Sequence, residues 1–185
     1  MNFPQSNHDR RSTRLKGYDY CQPGGYFITA VTKWREHLFG EVVYGEMSLN
    51  DLGRIVREEW FKSGILRPYV KLFEDEFVVM PNHVHGIIWI VEDDSMFVGT
   101  QRRCVPTEGN VHPGSLGAII RAFKSAVTYR ANRELNMTSI WQRNYHDHEI
   151  PAGGILRDQA EHERIARYIA ANPLNWEDDD ENVQQ

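Results

Sequence analysis

Between Phe77 and Val91 the chain reads FVVMPNHVHGIIWIV, an apolar run broken only at Met80-Pro81-Asn82 and by two histidines. Two short apolar segments meeting at a Pro-Asn corner predict two buried strands in a tight antiparallel pair. Upstream, Tyr26 to Thr32 (YFITAVT) is rich in β-branched and aromatic residues and follows the Pro23-Gly24-Gly25 turn, so it predicts the first strand. His37 to Val43 reads as a short hairpin excursion. Leu52, Ile55, Val56 and Trp60 then recur at helical spacing behind a Ser48/Asp51 capping signal, predicting a helix over about 49–62 that ends near Gly64. Val70 to Val79 is the strand that enters the corner. A second apolar stripe, Leu116, Ile119, Ile120, Phe123 and Val127, predicts a helix starting at Ser115. Ile140 to Ile150 reads as a last strand, broken by Pro151-Ala152-Gly153-Gly154. Asp158 and Glu161 cap a final helix over about 159–171, stopped by Asn172-Pro173.

The order strand, helix, two strands, helix, strand, helix predicts an α+β fold. It has one antiparallel sheet with helices on one face, the split βαβ or ferredoxin-like arrangement, plus a C-terminal helix. At 185 residues the chain reads as a single domain over 17–176, with a flexible basic arm over 1–16 and an acidic, disordered tail over 177–185. No stretch approaches a membrane span and the N-terminus lacks an apolar signal core, so no membrane partner and a cytoplasmic location are expected. Cys21 and Cys104 have no CxxC partner, so neither a zinc knuckle nor a disulfide framework is indicated.

The net charge of -5 argues at first against a nucleic-acid partner. Glu177, Asp178, Asp179, Asp180 and Glu181 carry all of it, however, so the chain up to Trp176 is formally neutral. Cations collect in two places: the N-terminal arm, which includes Arg14 and Lys16, and the polar side of the 115–134 helix, which includes Arg121 and Lys124. Either set could contact phosphates, and either could be an ordinary solvated surface.

Two features carry chemistry. His83 and His85 are two apart on a strand, so their imidazoles share one face and form half of a metal site. Two partly exposed histidines at a strand end would have the same spacing. Tyr168 and Asn172 are four apart on the final helix, one turn above each other. A tyrosine hydroxyl is a possible covalent nucleophile and an asparagine amide oxygen is a hard ligand. A core tyrosine and a helix-capping asparagine would present the same pattern.

Taken together and in order, GGYFITAVT, MPNHVHGIIWI, IWQRNYHDHEI and ERIARYIAANP resemble the REP-associated tyrosine transposases, a branch of the single-tyrosine HUH transposases named for the His-hydrophobic-His element, here His83-Val84-His85. The resemblance covers about residues 17–176. It implies a ferredoxin-like nuclease fold whose C-terminal helix carries the nucleophile. It further implies cleavage and rejoining of single-stranded DNA beside hairpins, with a divalent metal, Mg²⁺ or Mn²⁺, and a covalent 5′-phosphotyrosine. Matched by motif, His83 and His85 are the metal pair, Asn172 the third ligand and Tyr168 the nucleophile. Arg121, Lys124, Arg143, Arg14 and Lys16 are the expected DNA-binding residues, and a monomer or a homodimer could complete the site. The alternatives are a domesticated hairpin-DNA-binding protein that no longer cuts and a water-using phosphodiesterase in which Tyr168 is structural.

Overall fold

A computed structural model of the chain describes residues 18–92, 114–142, 156 and 158–182. In chain order its elements are β1 (Gly24–Val31), β2 (Gly40–Val43), β3 (Glu46–Leu49), α1 (Asp51–Ile65), β4 (Val70–Lys71), β5 (Phe77–Val79), β6 (His83–Ile90), α2 (Leu116–Leu135) and α3 (Gln159–Ala171). The histidine strand β6 is central. Along one edge it pairs antiparallel with all of β1, from Gly24 opposite Ile90 to Val31 opposite His83. Gly86 and His85 pair with Ile28 and Thr29 of β1 and also with Phe77 and Val78 of β5, so β5, and beyond it β4, take the other edge. β1 and β5 therefore run parallel with β6 between them, and α1 lies on the connection. That is the split βαβ arrangement, α+β with an antiparallel sheet and three helices.

Alternation along the central strands assigns the two faces. Tyr26, Ile28 and Ala30 of β1 and Val84, Ile88 and Ile90 of β6 pack against α1 (Leu52, Ile55, Val56, Trp60) and α2 (Leu116, Ile119, Ile120, Phe123, Val127) in the main core. Trp60 anchors it, stacked on Phe77 at 4.5 Å and edge-on to Phe123 at 5.4 Å. Burying a side chain of this kind contributes about 1.5–3 kcal/mol. The opposite face is covered by α3, where Ile165 and Ile169 close over Phe27 and Ile87. Two helices thus share one face, and the third lies on the other, the face to which His83 and His85 belong.

Local signals explain most boundaries. Ser115 caps α2 by accepting from Ala118 N, and Asp158 caps α3 by accepting from Glu161 N. Met80 N donates to His83 O at 2.8 Å, which closes the β5–β6 corner around Pro81 and Asn82. The β2–β3 hairpin turns at Tyr44 and Gly45, both at positive φ (53° and 77°), the conformation a two-residue hairpin turn requires.

Several expectations are corrected. The α1 cap is Asn50, which accepts from Gly53 N, because Ser48 is committed to the β2–β3 ladder opposite Glu41. The strand expected over 70–79 is split by a 3₁₀ turn at Glu74–Glu76, which turns the Glu76 carboxylate inward. Cys21 is disulfide-bonded, which the lack of a CxxC spacing had not indicated. The acidic segment does not trail away over 177–182: Trp176–Asp178 form a 3₁₀ turn and Glu181 is buried.

The last strand begins as expected, with Thr32 bridged to Trp141 and Gln142 N donating to Val31 O at 3.0 Å. Its remainder, with Arg143 and Tyr145, lies outside the described residues, as do the 1–16 arm with Arg14 and Lys16 and most of the 92–114 loop. Among the described residues, no helix is long and apolar enough to cross a membrane.

Candidate active site

Helix α3 is laid along β6 in the reverse direction and held at both ends. At its start, His162 Nε2 lies 2.5 Å from Glu76 Oε1, and the same carboxylate accepts from Trp89 Nε1 at 2.6 Å. In its middle, Ile165 and Ile169 bury on Phe27 and Ile87. The apolar spacing at 165 and 169 brings positions 168 and 172 toward the same side of the helix. Tyr168 consequently arrives over His85, with its ring 5.2 Å from the imidazole and 6.2 Å from Phe27.

The two imidazoles are buried, at 0% and 2% exposure, and each is gripped through Nδ1. His83 Nδ1 lies 2.8 Å from Asn82 Oδ1. Asn82 Nδ2 is occupied in donating to Arg35 O at 3.2 Å and Glu181 O at 2.7 Å, so the amide oxygen is what faces His83. An oxygen of that kind only accepts, which puts the His83 proton on Nδ1 and leaves the Nε2 lone pair for another partner. His85 Nδ1 lies 2.8 Å from Thr29 Oγ1, its cross-strand neighbour, and its ring stacks on Phe27 at 5.3 Å. Oriented imidazoles with the second nitrogen engaged are the usual arrangement of metal-binding histidines. The ring centroids are 4.4 Å apart.

His85 Nε2 meets the Tyr168 hydroxyl at 3.2 Å. Burial, and then the charges of Asp179, Asp180 and Glu181, push this hydroxyl up to about 12, while the Asn172 amide pulls weakly the other way. The residue as a whole is still 45% exposed.

The acidic segment following α3 folds back over the histidines. Asn172 Nδ2 donates to Asp179 Oδ2 at 2.9 Å, and Arg35 binds the segment twice, through Asp180 O at 2.8 Å and Glu181 Oε2 at 3.1 Å. Ligating atoms of His83, His85 and Asp179 all lie within 4.8 Å of one another. Two imidazoles and a carboxylate form a donor set that suits a divalent cation. Asn172 Oδ1, buried and without a hydrogen-bond partner, is a further hard oxygen on the amide that holds Asp179. The residues present fit such an ion.

Of the residues singled out from the sequence, His83, His85, Tyr168 and Asn172 are brought together. Arg121 and Lys124 are not, because α2 lies across the sheet. Arg121 is exposed there, whereas Lys124 donates to Gln142 O at 3.1 Å and sits 5.4 Å from the Trp141 ring, and burial lowers its ammonium to about 8. Asn82, Thr29, Arg35 and Asp179 were missed. A polar residue inside the buried run YFITAVT and an asparagine directly before the histidines were available signals. Nothing local marks Asp179, which sits in a charge run that reads as solvated.

Comparison with known proteins places the chain in context. No protein-family model matches it. Its fold is that of a transposase: it resembles the solved structure of a REP-associated tyrosine transposase bound to a REP hairpin, with a TM-score of 0.53 and 19% identity, over 88% of this chain and 74% of that one. In sequence it belongs to the same family as an uncharacterized protein of Haemophilus influenzae, 40% identical over 174 residues, which are 93% of this chain and 92% of that protein.

Proposed function

We propose that this protein is a divalent-metal-dependent enzyme that cuts and rejoins single-stranded DNA at hairpin-flanked sites through a covalent 5′-phosphotyrosine at Tyr168. The observation that carries the proposal is the Tyr168 hydroxyl 3.2 Å from Nε2 of a histidine that belongs to a His-His-Asp cluster. The solved transposase of similar fold, bound to a hairpin, supports the DNA partner.

His83 and His85 would hold Mg²⁺ or Mn²⁺, with Asn172 as a further ligand. When bound, such an ion draws charge from a non-bridging phosphate oxygen and makes phosphorus more electrophilic. Asn82 and Thr29 orient the two imidazoles, and α3 holds the tyrosine oxygen beside them on a packed helix, which in-line attack requires. Tyr168 gives its proton to solvent as its oxygen bonds phosphorus, and the bond from phosphorus to the 3′-oxygen breaks. The departing 3′-oxygen takes up a proton from solvent and the strand leaves with a free 3′-hydroxyl. A second 3′-hydroxyl can reverse the step and release the tyrosine, so strands rejoin without ATP. Arg143, Arg14 and Lys16 would hold the flanking phosphates, with Arg121 left to contact DNA away from the cleaved bond. Lys124 would contribute chiefly by steadying residues 141–142, which lead into Arg143.

The test is incubation with hairpin-flanked single strands and Mn²⁺, followed by a denaturing gel. A slow, protein-linked DNA band is expected. Cleavage that leaves no covalent adduct would support a water-using phosphodiesterase, and binding without cleavage a domesticated binder.

A further inference from the structure

Resting on the metal-dependent reading above, the geometry points to Asp179 as a metal ligand supplied by the C-terminal segment, so that docking of residues 176–182 and binding of the ion are one coupled event. The resemblance nominates only groups on β6 and α3. The structure adds a carboxylate from beyond the helix, whose oxygen clusters with the two imidazole nitrogens within 4.8 Å. Asn172 ties it in place: Nδ2 donates to Asp179 Oδ2, while its buried Oδ1 has no hydrogen-bond partner. A buried carbonyl oxygen without a donor, on the amide that holds this carboxylate, is a polar defect that a cation can remove.

The segment is built to deliver this carboxylate. The Asp179 carboxylate also accepts from Glu181 N at 2.7 Å, which fixes its side chain against its own backbone. Arg35 clamps Asp180 and Glu181, Asn82 Nδ2 reaches Glu181 O, and Trp176 packs against His37 and His83 with ring separations of 5.5 and 6.0 Å. Asn82 therefore orients His83 with one end of its amide and holds the acidic segment with the other. His83 and the acidic segment are thereby held by one side chain. A ligand that arrives on a docking segment makes metal affinity depend on every contact that docks it, and the ion in turn stabilises the docked form.

The test titrates the full chain with Mn²⁺ by calorimetry, and it follows carboxypeptidase trimming of the C-terminus with and without the metal. Asp179→Ala is expected to weaken Mn²⁺ binding by about 10- to 100-fold or more. Arg35→Ala, which touches no ligand atom, is expected to weaken it by a smaller factor and to speed trimming. Mn²⁺ should slow trimming of the wild type but not of Asp179→Ala. Wild-type binding that is unchanged or tightened in Asp179→Ala overturns the inference and makes the segment a competitor for the site. Absence of Mn²⁺ binding in the wild type itself would instead overturn the metal-dependent reading on which the inference rests.

Discussion

The hydroxyl of Tyr168 stands 3.2 Å from Nε2 of His85, and behind that imidazole Nδ1 lies 2.8 Å from Thr29 Oγ1. Three elements, α3, β6 and β1, are thereby tied in a line that ends at the hydroxyl of a half-exposed tyrosine. The contact is made within one chain. A nucleophile candidate and a metal-ligand candidate are therefore positioned by the same sheet, and displacing either changes the setting of the other.

Tyr168→Phe removes the oxygen and leaves the ring against His85 and Phe27. It is expected to abolish adduct formation and cleavage while hairpin affinity stays within about twofold, since no binding contact is removed. Peptide mapping of DNA-linked fragments checks the assignment, and an adduct on Tyr145 or activity in Tyr168→Phe would refute it.

His83→Ala and His85→Ala should each lower Mn²⁺ affinity or activity by at least about 10- to 100-fold. Each also strands the group that held the imidazole, Asn82 Oδ1 or Thr29 Oγ1, inside the protein, at a cost of about 1–3 kcal/mol. Calorimetry and urea unfolding read the two effects separately. Cleavage that persists in EDTA would exclude the metal role.

Gly86 follows the histidine pair but faces the main core. A Cβ there would lie 2.5 Å from Trp60 Cζ2 and 2.9 Å from Phe77 Cδ2, both in the fully packed aromatic stack. Gly86→Ala is expected to destabilise the protein by about 1–3 kcal/mol through overpacking. A lowered urea midpoint checks this, and Gly86→Ala should cost less in a Trp60→Leu background than in the wild type.

Lys124 gives a pH signature. Burial lowers its ammonium from 10.5 to about 8 in the folded protein. Between those values the unfolded chain holds more protons at this residue than the folded one, so the contribution of Lys124 to stability rises with pH across that window. Tyr168, pushed up to about 12, has the opposite sign at higher pH and cancels in a comparison with Lys124→Met. The stability of the wild type relative to that variant should increase from pH 8 to 10.5, and a constant difference in chemical denaturation would contradict the buried ammonium.

The sequence by itself determined the two central strands and three helices, and the inner side of each. Alternation in YFITAVT and HVHGIIWI put His83 and His85 on one face, and the apolar steps at Ile165 and Ile169 carried Tyr168 and Asn172 round to a common side of α3. Those are local properties, because the period of a strand or a helix fixes which side chains share a face. Which element covers that face is not local. Only the tertiary structure placed α3 on the histidine side and α2 on the other, separating Arg121 and Lys124 from the site that their charge had suggested they serve. Only it turned the acidic segment inward. Arg35 and Glu181 lie at opposite ends of the chain, and a carboxylate run reads as solvated until the fold supplies a guanidinium, an asparagine amide and two imidazoles to receive it.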